Sequence, residues 1–67
     1  MCPKEKLFKL TSSIARIGTK EQKDAVWEWV TKAVPSPLVP NEFMDAWNAC
    51  DVLVWIEHRE TFRYFFT

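Results

Sequence analysis

Few side chains in this 67-residue chain could do chemistry, and the spacing of each limits what it could do. The single imidazole, His58, stands between Glu57 and Arg59 and close to Glu60. A carboxylate beside an imidazole is the raw material of a general-base pair. Adjacent residues on a helix or strand point in different directions, however, so residues 57–60 read as a solvated charged turn. Cys50 and His58 on one helix would be separated by about 12 Å of rise, too far for a thiolate–imidazole nucleophile.

Cys2 and Cys50 are too few for a disulfide framework, and neither has a His or further Cys at a zinc-binding spacing. Cys50 falls in an apolar stripe and reads as a small core residue, and Cys2, beside Met1, as an exposed thiol. Whether the two pair depends on how the helices that carry them dock. Asp45 with Asp51, or Glu57 with Glu60, could hold a divalent cation, but no Gly-containing loop of EF-hand type frames them. Gly18 stands alone, so no phosphate-cradling loop is present. The expectation is no catalytic residue, no metal and no cofactor: not an enzyme.

The aromatic residues are the informative feature. The chain holds four Trp, five Phe and one Tyr, with only one Gly and four Pro. That composition excludes low-complexity disorder. A domain of this length buries only about 60% of its unfolded surface, which leaves about 15 well-buried positions for 24 large apolar residues between Leu7 and Phe66. Some must stay exposed or be covered by another chain. They cluster near the C terminus as Trp55, Ile56, Phe62, Tyr64, Phe65 and Phe66, and chain ends are usually polar. Trp27, Trp29, Trp55, Phe62, Tyr64, Phe65 and Phe66 are therefore the candidate partner-binding residues, since clustered aromatics mark interfaces.

Nine Lys and Arg balance nine Asp and Glu, so the overall charge selects no polyanionic partner. The charges are unevenly placed. Residues 1–23 hold six basic and two acidic side chains, and residues 24–67 hold three basic and seven acidic. The plainest reading is a basic first helix lying across an acidic third. A dimer in which the two halves meet between copies is a second reading. A third makes Lys6, Lys9, Arg16, Lys20 and Lys23 a phosphate-contacting face.

The elements that must position these groups follow from periodicity. Leu7, Leu10, Ile14 and Ile17 recur at helical spacing over residues 3–17, with Pro3 at the start and Gly18 as the stop. Thr19 and Gln22 have the spacing of a capping box for a second helix reaching about Val34, with Val26, Val30, Ala33 and Val34 at its apolar centre. The short junction predicts a helical hairpin. Pro35, Pro37 and Pro40 fix an extended connector in which Leu38 and Val39 tuck inward. A proline pair at 37 and 40 reads as loop rather than as a polyproline ligand.

Asn41 is the expected N-cap of a third helix carrying Phe43, Ala46, Trp47, Cys50, Leu53 and Val54 on one face. Two forms compete beyond residue 52: the helix runs on to about Glu60, or residues 52–66 form a β-hairpin. The β-branched and aromatic residues favour the hairpin. The lack of Gly, Asn, Asp or Pro at 58–60 opposes it.

The predicted fold is all-α, a single domain over residues 1–67 with three helices and an aromatic C-terminal tail; the alternative is α+β with the hairpin. The expected function is a small protein–protein interaction module or accessory regulator, an inhibitor or assembly factor, binding a protein or a second copy through aromatic apolar surface. The alternative is duplex RNA or DNA, bound at the phosphate backbone through the basic face of the first helix. No secretory leader is visible in residues 4–16, and the longest apolar run, 52–56, is far short of the roughly 20 residues a bilayer needs. The expected location is intracellular and cytoplasmic, with reduced thiols.

Overall fold

The computed structural model describes residues 1–66. They form four α-helices, α1 (Lys4–Ile17), α2 (Lys20–Lys32), α3 (Asn41–Asn48) and α4 (Val52–Phe66), with no strand among the described residues. No helix among them is long and apolar enough to cross a membrane.

α1 buries Leu7, Thr11 and Ile14, one residue per turn on one face. Ile17, expected to continue the stripe, lies past the core and is exposed. Gly18 is needed for close approach rather than for an unusual dihedral: a Cβ there would stand 2.5 Å from the Ile14 carbonyl oxygen.

The expected capping box is half made. Thr19 Oγ1 accepts from the Gln22 amide at 3.1 Å, but the Gln22 side chain donates instead to the Leu38 carbonyl at 3.4 Å. That bond ties the start of α2 to the connector, where Val39 is buried and Leu38 exposed. α2 ends at Lys32, slightly before the expected Val34, because Ala33 turns the chain through the left-handed region at φ 55°.

Asn41 is not a cap but the first residue of α3. Pro40 occupies the N-cap position, and no side chain caps this helix. The expected long third helix is two helices, so the fold is all-α with four helices rather than three. Asp51 makes the break: its Oδ1 accepts from the Val54 amide at 3.1 Å, and its carbonyl accepts from the Trp55 amide at 3.1 Å. Residues 52–66 are helix throughout, which excludes the hairpin. His58, Phe62 and Phe66 recur at four-residue spacing and all face the core, a burial that overrides the strand preference of the individual side chains.

α2 packs chiefly on α4, and α1 on α3 and α4; α1 and α2 touch each other less than hairpin partners would. One core cluster joins Leu7, Ile14, Val26, Val30, Val39, Phe43, Trp47, Phe62 and Phe66. The N terminus thereby reaches the α3–α4 corner, and Cys2 and Cys50 are joined by a disulfide with Cα atoms 4.5 Å apart. The expectation of two reduced thiols is overturned, because docking brings together residues 48 apart in sequence. Lys4 pairs with Glu57 at 2.9 Å and Lys6 with Glu42 at 3.1 Å. Both bridges are half exposed, worth about 0–1 kcal/mol each, and they are the pattern expected of a basic first helix laid against an acidic second half.

Candidate functional site

The helical form of α4 sorts the aromatic tail into two sets. Phe62 and Phe66 are core residues, which corrects their assignment to a partner surface. Tyr64 (81% exposed) and Phe65 (56%) point outward. Trp27, Trp29 and Trp55 are half-buried along the seam between α2 and α4. Trp27 stacks on Phe66 at 5.9 Å between ring centroids, and Trp55 on Trp47 at 5.3 Å. The Trp55 indole N–H donates to the Trp47 carbonyl at 2.7 Å. Trp29 Nε1 is buried and has no acceptor.

Sequence reasoning missed Val52 and Leu53 as surface residues. A continuous third helix would put Leu53 on its buried face. The break at Asp51 rotates it outward to 76% exposure, beside Val52 and Ile56. The signal was present: residues 52–56 are apolar all round a helix, so one side had to remain outside unless a second chain covers it.

His58 is fully buried, not part of a solvated turn. The rings of Phe8, Phe43, Trp47 and Phe62 surround it at centroid distances of 5.2–5.9 Å. Thr11 Oγ1 donates its only hydrogen to the Leu7 carbonyl at 2.9 Å. The 2.6 Å contact between Thr11 Oγ1 and His58 Nε2 therefore has the imidazole as donor, which leaves Nδ1 a buried lone pair without a partner. Loss of hydration on burial, reinforced by the Arg59 charge, lowers its pKa from 6.5 to about 4. The ring is neutral near pH 7 and serves as a polar element of the core. Among the described residues no three His, Cys, Asp or Glu side chains gather as a metal site.

The α2–α4 seam opens as a groove of about 410 Å³ walled by Trp29, Val30, Trp47 and Trp55, with Arg59 and the C-terminal end of α2 at its rim. A hollow of about 230 Å³ between Trp27, Thr31, Arg59 and Arg63 continues the same seam.

No family model matches this chain, and no curated protein or solved structure matches it.

The candidate basic face is split. Lys6 is held by Glu42. Lys9, Arg16, Lys20 and Lys23 have no acidic partner among the described residues, and Lys20 and Lys23 sit on α2 rather than on the same helix as the first two.

Proposed function

We propose that this chain is a small protein-interaction module, an accessory regulator of the inhibitor or assembly-factor kind, and that it binds its partner through the outer face of α4. One observation carries the reading: a folded chain that buries Phe62 and Phe66 still exposes Leu53, Ile56, Tyr64 and Phe65 on one helix. At about 100° per residue, Leu53, Ile56 and Tyr64 fall within an arc of about 80° that also holds Glu60, with Val52 about 40° beyond one edge and Phe65 about 100° beyond the other. Val52, Leu53 and Ile56 cluster within one turn of α4, with Tyr64 farther along the same face beyond Glu57 and Glu60, and clustered exposed apolar side chains mark an interaction surface more than scattered ones do. The candidate surface is thus Val52, Leu53, Ile56 and Tyr64, with Phe65 exposed on a separate flank beside Phe62, in place of the seven aromatics named from sequence.

The nucleic-acid alternative has less support, because Lys6 is engaged with Glu42 and the other four cations are divided between α1 and α2. It predicts binding to duplex RNA or DNA at about 50 mM salt that collapses by about 200 mM. The disulfide favours an oxidising compartment over the cytoplasm for the folded chain. Thiol trapping of Cys2 in cells separates the two, and the interaction reading holds in either.

The test uses the oxidised chain in two arms. Sedimentation velocity of the wild type and of Leu53→Asp reads self-association. A photo-crosslinking residue in place of Tyr64, with one in place of Lys20 as control, reads a different partner in the cells of origin. A dimer lost in Leu53→Asp, or a discrete adduct from position 64 that Leu53→Asp removes without lowering the melting temperature, is the expected result. A monomer that yields no position-dependent adduct would end the proposal.

A further inference from the structure

The groove between α2 and α4 is a second surface, distinct from the outer face of α4, and its polar groups are incompletely matched. Arg59 is half-buried at the junction of the two hollows. Its side chain bonds only to the Trp55 carbonyl, at 3.4 Å through Nε, and no carboxylate is within ion-pair distance among the described residues. The nearby charges are already engaged: Lys32 with Glu28 at 3.5 Å, and Glu60 with Arg63 at 3.8 Å. A guanidinium presents a planar fork of donors suited to a carboxylate, and partial burial strengthens such a pair.

Two further features point to a peptide rather than a simple anion. α2 ends at this groove, and beyond the Ala33 N–H bond to the Trp29 carbonyl its last carbonyls have no helical donor. They are acceptors that a bare anion would meet unfavourably and that backbone N–H groups satisfy. Half-buried Trp29 and Trp55, the latter backed by the buried Trp47 ring, line one end of a seam that runs past Arg59 into the second hollow. An elongated occupant fits that shape better than a compact one.

We propose that the α2–α4 groove binds an extended acidic–aromatic peptide segment. Its carboxylate sits on Arg59, its aromatic or large aliphatic side chain against Trp29 and Trp55, and its backbone N–H groups on the terminal carbonyls of α2. The Trp29 indole lines the groove while its Nε1–H is buried without an acceptor, so its N–H signal reports an occupant packed against the ring.

The probe is the blocked pentapeptide acetyl-Ala-Phe-Asp-Ala-Ala-amide, with the Asn peptide as its isostere, titrated into the ¹⁵N-labelled oxidised chain. Saturable shifts of the Trp29 and Trp55 indole N–H and Arg59 Nε–H signals are expected, with the Asn peptide about tenfold weaker, the scale of one charge-assisted pair. Arg59→Gln, at a half-exposed site, should keep the wild-type melting temperature and erase the Asp-over-Asn preference. Equal affinity of the two peptides overturns the proposal, as does the absence of a groove shift up to about 5 mM, near the limit of specific weak binding. Shifts confined to Leu53, Ile56 and Tyr64 also overturn it, while supporting the outer face of α4 as the binding surface.

Discussion

Acid should destabilise this fold through one residue. In the unfolded chain His58 titrates near 6.5, and in the folded chain near 4, because protonation would place a charge among four aromatic rings. The Nδ1–H so created would have no acceptor. The folded-state pKa is depressed, so the unfolded state takes the proton first. The stabilisation by neutral His58 is fully present above about pH 6.5 and is lost as pH falls toward 4. Linkage gives a loss of about 2 kcal/mol by about pH 5 and about 3 kcal/mol by about pH 4. For a domain of this size, 2 kcal/mol corresponds to roughly 8–16 °C of melting temperature.

Urea denaturation followed by tryptophan fluorescence at a series of pH values, with the disulfide intact, measures the loss. His58→Leu supplies the control. It removes the titration, and Thr11 still donates to the Leu7 carbonyl. Its stability should be nearly flat across the window in which the wild type falls. If His58→Leu keeps the wild-type slope, or if NMR shows His58 of the folded chain titrating near 6.5, the reasoning is wrong.

Closing a loop between residues 48 apart removes chain entropy equivalent to about 4 kcal/mol. Reduction, or Cys50→Ser, should therefore lower the urea midpoint by that equivalent, and a loss under about 1 kcal/mol would show that the closed loop contributes little. Ala33→Gly should stabilise by about 0.5–1 kcal/mol in a thermal melt, since Ala33 is exposed and its φ of 55° suits glycine. Asp51→Ala should cost about 1 kcal/mol by loss of the α4 cap, whereas Asn41→Ala, at a position that caps nothing, should be close to neutral in the same assay.

Thr19 announced the start of α2, and its side chain accepts the predicted bond. Leu7 and Ile14 were legible as one apolar face, because a helical stripe needs only its own period. Asn41 misled: a good capping residue was displaced by one position because Pro40 already holds the extended dihedrals of a cap. His58 misled further. Flanked by charged residues, it looked like surface, yet helical geometry turns Glu57 outward to Lys4 and His58 inward to Thr11.

Local sequence was thus sufficient for α1 and α2, for the Pro-bounded connector and for the excess of apolar side chains over core positions, and it favoured the all-α class without excluding a hairpin at residues 52–66. Those properties depend on period, capping chemistry and counting, which act within a few residues. The disulfide, the buried imidazole, the division of the aromatic tail into core and surface, and the unmatched Arg59 groove came from docking. Each joins groups many residues apart, and a rotation of α4 set by the cap at Asp51 decides which side of the helix faces inward. No local pattern carries the phase of one helix relative to another, because burial against the remaining helices determines it.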